Sequence, residues 1–172
     1  MKYYTVIDTN VLVSYLLTHN PQSSIIKLIE QIPQGVIIPL YNEDIRREYF
    51  DVLHRECFGF GEAKIQRVLD MIGEFGMNCE RKAVNDVFPN PDDAVFYEVT
   101  MSRDDSYLIT GNLKHFPKCG RVVTPAQMLE IIKYDNETSL YLSDVESPEY
   151  MSMTIDEINA IIREVRESIK KK

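Results

Sequence analysis

Residues 3–11, Tyr3-Tyr4-Thr5-Val6-Ile7-Asp8-Thr9-Asn10-Val11, decide how this chain folds. A β-type run ends abruptly in three small polar side chains, and apolar residues then resume at helical spacing. That order reads as a buried first strand delivering Asp8 to the carboxyl edge of a sheet. Ligands of open parallel α/β sheets bind beyond the carboxyl ends of the strands, so an acid fixed there is placed for chemistry. Asp8, Thr9 and Asn10 are equally good helix N-caps, and the stretch by itself leaves both readings open.

Working outward, Val11, Leu12, Tyr15 and Leu16 predict a first helix over residues 11–18. Ser23 or Ser24 caps a second, whose Ile25, Leu28, Ile29 and Ile32 precede the breakers Pro33 and Gly35. The continuous apolar run Val36-Ile37-Ile38-Pro39-Leu40 fits a parallel strand covered on both faces. Asn42 then caps a helix over residues 43–54 with Ile45, Tyr49, Val52 and Leu53 as its inner stripe. A further helix over residues 62–75 carries Ile65, Val68, Leu69 and Ile72, and residues 79–84 are expected to form a short third strand. Ser106-Tyr107-Leu108-Ile109-Thr110 repeats the grammar of the opening stretch, with Gly111-Asn112 as a tight turn. Arg121-Val122-Val123 gives the last strand, and Thr124-Pro125 opens a helix with Met128, Leu129, Ile131 and Ile132. Strands alternating with helices imply a parallel, right-handed α/β sheet.

This arrangement fills residues 1–133 as one domain. Residues 134–153 lose periodicity and gain Asp, Asn, Ser and Glu, which predicts a linker. Thr154 and Glu157 form a capping box for a separate amphipathic helix over residues 154–172, with Ile158, Ile161, Ile162, Val165 and Ile169 on one face. Isolated helices of this length are marginal in water, so the stripe needs a surface, either its own domain or a second copy of the chain.

Composition sets the outer limits. A chain of 172 residues, 44% hydrophobic and 27% charged, can bury one sizeable core. The net charge of −8 argues against a broad electrostatic grip on nucleic acid. It leaves a nuclease open, because cations held by carboxylates reverse the local field. Cys57, Cys79 and Cys119 form no CxxC pair and fit free thiols in a reducing compartment. Asp8 interrupts the first apolar run before a signal-peptide core can form, and no later stretch approaches the ~20 apolar residues of a membrane span. A soluble cytoplasmic protein is expected.

Several acids are directed to one edge. At about 100° per residue Glu48 lies at the border of the inner stripe of its helix, where either an arginine partner or a metal ion would compensate it. Asp92 and Asp93, in Asn90-Pro91-Asp92-Asp93-Ala94, both lead into inward-packing residues, and spacing does not choose between them. Carboxylates clustered in this way repel one another and are stable as anions mainly around a hard divalent cation. Oxygen-only donors, with Asn112 as a neutral one, point to Mg²⁺ or Mn²⁺ and away from zinc.

Four segments, in order, resemble the PIN-domain family of metal-dependent ribonucleases, particularly the toxin components of bacterial toxin–antitoxin pairs. They are Val6-Ile7-Asp8-Thr9-Asn10-Val11, Arg47-Glu48-Tyr49-Phe50-Asp51-Val52-Leu53, Pro91-Asp92-Asp93-Ala94-Val95-Phe96-Tyr97, and Leu108-Ile109-Thr110-Gly111-Asn112-Leu113-Lys114-His115-Phe116. The resemblance covers roughly residues 3–133. It implies a three-layer α/β/α fold with a five-stranded parallel sheet of order 3-2-1-4-5. It also implies Asp8, Glu48 and Asp93 as the catalytic, metal-holding acids, with Thr9, Asn10 and Thr110 in support. Many relatives carry an acid where this chain has Asn112, or within the next few residues, where it has Lys114 and His115. Asp92 is the candidate for a compensating carboxylate, with Asp104 or Asp105 more remote, while Asn112 is assigned a supporting role.

The expected function is an Mg- or Mn-dependent endoribonuclease cleaving single-stranded RNA, acting as the toxin of a toxin–antitoxin pair. Arg46, Arg47, Lys114, His115 and Lys118 are the candidates by position for meeting RNA phosphates, whereas His19 and His54 read as surface residues. A small antitoxin and a homodimer are the implied protein partners. Two alternatives stay open. A non-catalytic PIN module would act through protein contacts alone. A phosphatase-like hydrolase would also use Asp8, though such enzymes typically need a D-x-D pair and position 10 is Asn10.

Overall fold

The computed structural model describes residues 1–145. Five strands, β1 (Tyr3–Ile7), β2 (Ile37–Tyr41), β3 (Met77–Asn78), β4 (Ser106–Ile109) and β5 (Val122–Val123), form one parallel sheet of order β3-β2-β1-β4-β5. Helices α1 (Thr9–Leu17), α2 (Ser24–Ile29), α3 (Glu43–Leu53), α4 (Glu62–Phe75) and α5 (Ala94–Thr100) flank it, and α6 (Pro125–Val145) follows the last strand. The fold class and strand order are those expected. The order also says where a site belongs. From β1 the chain moves one way through β2 to β3, then returns to the other side of β1 for β4 and β5, so strand order reverses at the β1–β4 boundary. Crevices at such switch points are where open α/β sheets bind ligands.

Register fixes what meets there. Ile7 pairs with Ile109, so the next residue on each strand, Asp8 and Thr110, emerge side by side at the carboxyl edge. Their backbone amides continue the ladder, Asp8 N–H to the Ile109 carbonyl at 2.9 Å and Thr110 N–H to the Val123 carbonyl at 2.9 Å. Beneath the edge the core is dense. Val6, Leu12, Leu28, Ile37, Ile45, Leu53, Phe96, Val99 and Leu108 are all fully buried, each contributing on the order of 1.5–3 kcal/mol by leaving water.

Tyr49 links core to edge. It packs on Phe96 at 6.3 Å between ring centroids and donates its phenolic hydrogen to the Ile7 carbonyl, the last of β1. Gly76 lets α4 turn directly into β3. A Cβ there would stand 2.8 Å from the Pro39 carbonyl oxygen and collide with that of Ile72.

Three local expectations are corrected. The third strand is Met77–Asn78, and residues 79–84 are not strand. Gly76 delivers the chain alongside Leu40 and Tyr41 at once, and the charged residues beyond are held by side chains instead: Arg81 bridges to Glu98 at 2.6 Å and to Asp44 at 3.4 Å. Helix α1 begins at Thr9 rather than Val11, because the Asp8 side chain caps it by accepting from the Asn10 N–H. Helix α6 continues to Val145 through residues assigned to the linker. That stretch is polar but holds no Gly or Pro to stop a helix already nucleated, and Lys133–Glu137 adds an i,i+4 pair. One compact unit comprises Met1–Glu130, with a second unit beginning at Ile131. The expected helix over residues 154–172 and the end of the expected linker lie outside the described residues. Among the described residues no helix is long and apolar enough to cross a membrane.

Candidate active site

Asp8 stands at the centre. It is 7% exposed, and one of its oxygens, Oδ2, accepts from Thr110 Oγ1 at 2.6 Å and from Asn10 Nδ2 at 2.6 Å. The Asn10 amide oxygen in turn accepts from the Gly111 N–H at 2.9 Å, while Thr110 Oγ1 accepts from the Asn112 N–H at 2.9 Å. The turns after β1 and β4 are thus locked to each other through the carboxylate. Gly111 has little freedom to change, since a Cβ would lie 3.0 Å from Asn10 Oδ1. These donors hold the Asp8 anion, yet burial outweighs them and raises its pKa above the ordinary carboxylate value.

Glu48 is reached from the other side of Asp8. Thr9, the first residue of α1, donates its hydroxyl to Glu48 Oε1 at 2.5 Å. Burial is the largest influence on Glu48 and raises its pKa; the Thr9 hydroxyl opposes this, and the negative charges of Asp8, Asp93 and Asp92 add to it. The choice left open by the helix pattern is resolved against an arginine partner. Among the described residues no lysine or arginine pairs with Asp8, Glu48, Asp92 or Asp93.

Asp92 and Asp93 also separate. Asn90 caps a single 3-10 turn, Pro91–Asp93, by accepting from the Asp92 N–H at 3.3 Å, and α5 follows. This turn leaves Asp92 exposed and brings Asp93 inward, with 17% of its side chain accessible. Asp93 Oδ2 is shut off from solvent and has no hydrogen-bond donor. His115 Nδ1 lies 3.0 Å away, close enough for charge pairing but not aligned as a donor.

The basic candidates divide in the same manner. His115 is at the site, on Asp93. Lys114 is exposed in the same 3-10 turn, Leu113–His115, and Lys118 is exposed on a recess lined with Leu113, Pro117 and Val122. Arg47 is exposed on α3. Arg46 is not brought to the site: two residues from Glu48, it leaves α3 about 200° around the axis, where it lies over the Tyr41 ring at 5.5 Å and pairs with Glu43 at 3.8 Å. Sequence reasoning treated Tyr49 as core alone and missed its hydroxyl on Ile7. A tyrosine rather than phenylalanine on an inner stripe, one residue after a candidate acid, was the available signal.

Hard divalent cations fit this donor set in kind. The acids carry uncompensated charge, all donors but one are oxygen, and one buried oxygen lacks any donor. The acids are neighbours rather than a finished cage, for among the described residues no three His, Cys, Asp or Glu side chains are gathered closely enough to hold one ion. A model of the PIN-domain family matches residues 4–114, a span that contains Asp8, Glu48 and Asp93 and ends at Lys114. No curated protein and no solved structure matches the chain.

Proposed function

Because this chain belongs to the PIN-domain family, whose members are typically metal-dependent nucleases, we propose that it is an endoribonuclease acting on single-stranded RNA, with Asp8, Glu48 and Asp93 as its catalytic acids and Mg²⁺ or Mn²⁺ as its cofactor. The observation that carries the reading is the convergence of Asp8, Glu48 and Asp93 at the switch point with, among the described residues, no basic side chain other than His115 paired to them. A bound divalent ion supplies an acidified water as nucleophile and neutralises charge growing on the attacked phosphate.

The chain's own residues do the positioning. Thr110 and Asn10 fix Asp8 Oδ2 by two short donated hydrogen bonds, while Oδ1 accepts only a long one, 3.4 Å, from the Asn10 N–H at the start of α1 and has lone-pair capacity left to serve as a ligand. Thr9 holds Glu48 by Oε1 and leaves its second oxygen free. Tyr49 anchors the end of β1, from which Asp8 and Thr9 both depart. Lys114, Arg47 and Lys118 are the exposed bases available to RNA phosphates. The role of a toxin restrained by a small antitoxin, working as a homodimer, is part of the same proposal and is supported by the family resemblance alone.

The decisive experiment is cleavage of a labelled single-stranded RNA by the purified full chain in Mn²⁺ or Mg²⁺, with Asp8→Asn and Asp93→Asn alongside. Cleavage should be lost in both variants and in EDTA. Unchanged cleavage in either condition refutes the assignment. A second reading, a PIN module acting through protein contacts, is favoured by one observation, that no three-ligand cage is gathered among the described residues. It predicts a folded chain that neither binds divalent ions nor cleaves RNA.

A further inference from the structure

The chain lacks an acid at Asn112, and His115 Nδ1 lies 3.0 Å from the Asp93 oxygen that has no hydrogen-bond donor. We propose that His115 is a nitrogen ligand of the metal site, paired with Asp93, and that it makes the site prefer Mn²⁺ to Mg²⁺. This rests on the metal-dependent reading above.

The distance carries the inference. Two ligands on adjacent corners of an octahedron with metal–ligand bonds of 2.0–2.1 Å stand about 3 Å apart. Asp93 Oδ2 and His115 Nδ1 are 3.0 Å apart. They do not form a hydrogen bond, and the oxygen is sealed from solvent, so its lone pairs are directed at no proton donor. With His115 in the tautomer protonated at Nε2, two donor atoms at that separation match one edge of a coordination sphere. His115 is half-exposed, with 45% of its side chain accessible to the solvent that would supply the remaining oxygen ligands. Magnesium sites commonly hold only one or two protein groups and keep several waters, so a two-ligand edge is sufficient to seat an ion.

The local backbone supports a fixed imidazole. The 3-10 turn Leu113–His115 is closed by the His115 N–H on the Asn112 carbonyl at 3.2 Å, and Phe116, which follows it, is buried. Asp93 comes from the corresponding 3-10 turn before α5, so two short rigid turns on different elements face each other across the site. Nitrogen ligands raise affinity for first-row transition metals over magnesium, which binds oxygen almost exclusively. Replacing an acid with histidine therefore changes which ion the site selects.

The test uses the full chain and the ions alone. Pulsed electron paramagnetic resonance of bound Mn²⁺ should show coupling to a ¹⁴N nucleus, absent in His115→Gln, which is half-exposed and should melt as the parent does. Calorimetric titration with Mn²⁺ and Mg²⁺ should show the Mn²⁺/Mg²⁺ affinity ratio falling about tenfold or more in His115→Gln, comparable to the loss of other metal-site groups. His115→Asp should restore binding with the ratio shifted toward Mg²⁺. Mn²⁺ bound without nitrogen coupling, or an affinity ratio unchanged in His115→Gln, overturns the role of His115 and leaves the nuclease reading intact. Failure of the parent chain to bind either ion overturns both.

Discussion

Thr110→Val removes one oxygen from the centre of the site while keeping the shape of the side chain. Thr110 is fully buried, donates to Asp8 Oδ2 at 2.6 Å, and accepts from the Asn112 N–H at 2.9 Å. A hydrogen bond to a charged group contributes about 1.5–3 kcal/mol, and a neutral one about 0.5–1.5 kcal/mol. Together these come to about 2–4.5 kcal/mol, and for a chain of this size each kcal/mol moves the melting temperature by roughly 2–4 °C, so the variant should melt about 4–18 °C lower at neutral pH. The signature is the pH dependence of the loss. Burial raises the folded pKa of Asp8 above its unfolded value near 3.8, and the Thr110 hydroxyl is the largest influence opposing that rise. Without it the folded pKa climbs further. A carboxyl with a raised folded pKa holds its proton more tightly in the native state, so stability falls as pH rises from the unfolded value through the folded one. The variant has the wider window. Its penalty should be smallest where Asp8 is protonated in both proteins, grow as pH passes the parent's folded pKa, and level off above its own. Circular dichroism melts in EDTA across this range provide the measurement. A penalty that is flat with pH, or larger in acid, refutes the hydrogen bond from Thr110 to an ionised Asp8.

Other perturbations separate architecture from chemistry. Tyr49→Phe should destabilise the chain by about 1–2 kcal/mol in urea titration by removing the hydroxyl on the Ile7 carbonyl, and should slow RNA cleavage because Asp8 follows directly; unchanged stability would show that the carbonyl has another partner. Gly76→Ala should cost about 1–3 kcal/mol through contact with the Ile72 and Pro39 carbonyls, without altering ion binding. Gly111→Ala should do the reverse, lowering cleavage more than stability, because the added Cβ displaces the Asn10 amide that holds Asp8. Saturating Mg²⁺ or Mn²⁺ should raise the melting temperature progressively less as pH is lowered from 8 into the acid range, because burial raises the pKa values of Asp8 and Glu48 and protons then compete with the ion earlier than at ordinary carboxylates; a shift independent of pH would argue that the ion binds elsewhere.

Much of this was legible without coordinates, for physical reasons that act locally. The β1 run ends at Asp8 because small polar residues suit a strand end and a cap, and Ser106–Ile109 repeats that pattern before Thr110-Gly111-Asn112. Apolar periodicity set α3 and α4, whose inner stripes are buried at Ile45, Tyr49, Leu53, Ile65, Val68 and Ile72, with Val52 and Leu69 half-buried at their edges. It did not set β3, which depends on Gly76 and pairing with β2, nor the length of α6, which helix propagation extends through polar residues.

The site was legible as a set of acids but not as an arrangement. The order of Asp8, Thr9 and Asn10 decides, from sequence alone, that an acid, a hydroxyl and an amide leave the strand together. Only the β1–β4 register brings Thr110 onto that acid and the Gly111 N–H onto the Asn10 amide, from 102 and 101 residues away respectively. Spacing could not choose between Asp92 and Asp93, because both precede the same inward face; the 3-10 turn chooses Asp93 by rotating it toward the site. Nor could it place His115 against that oxygen. Chain-local patterns fix which side chains reach an edge, whereas which of them meet depends on contacts between distant segments, and those exist only once the sheet has paired.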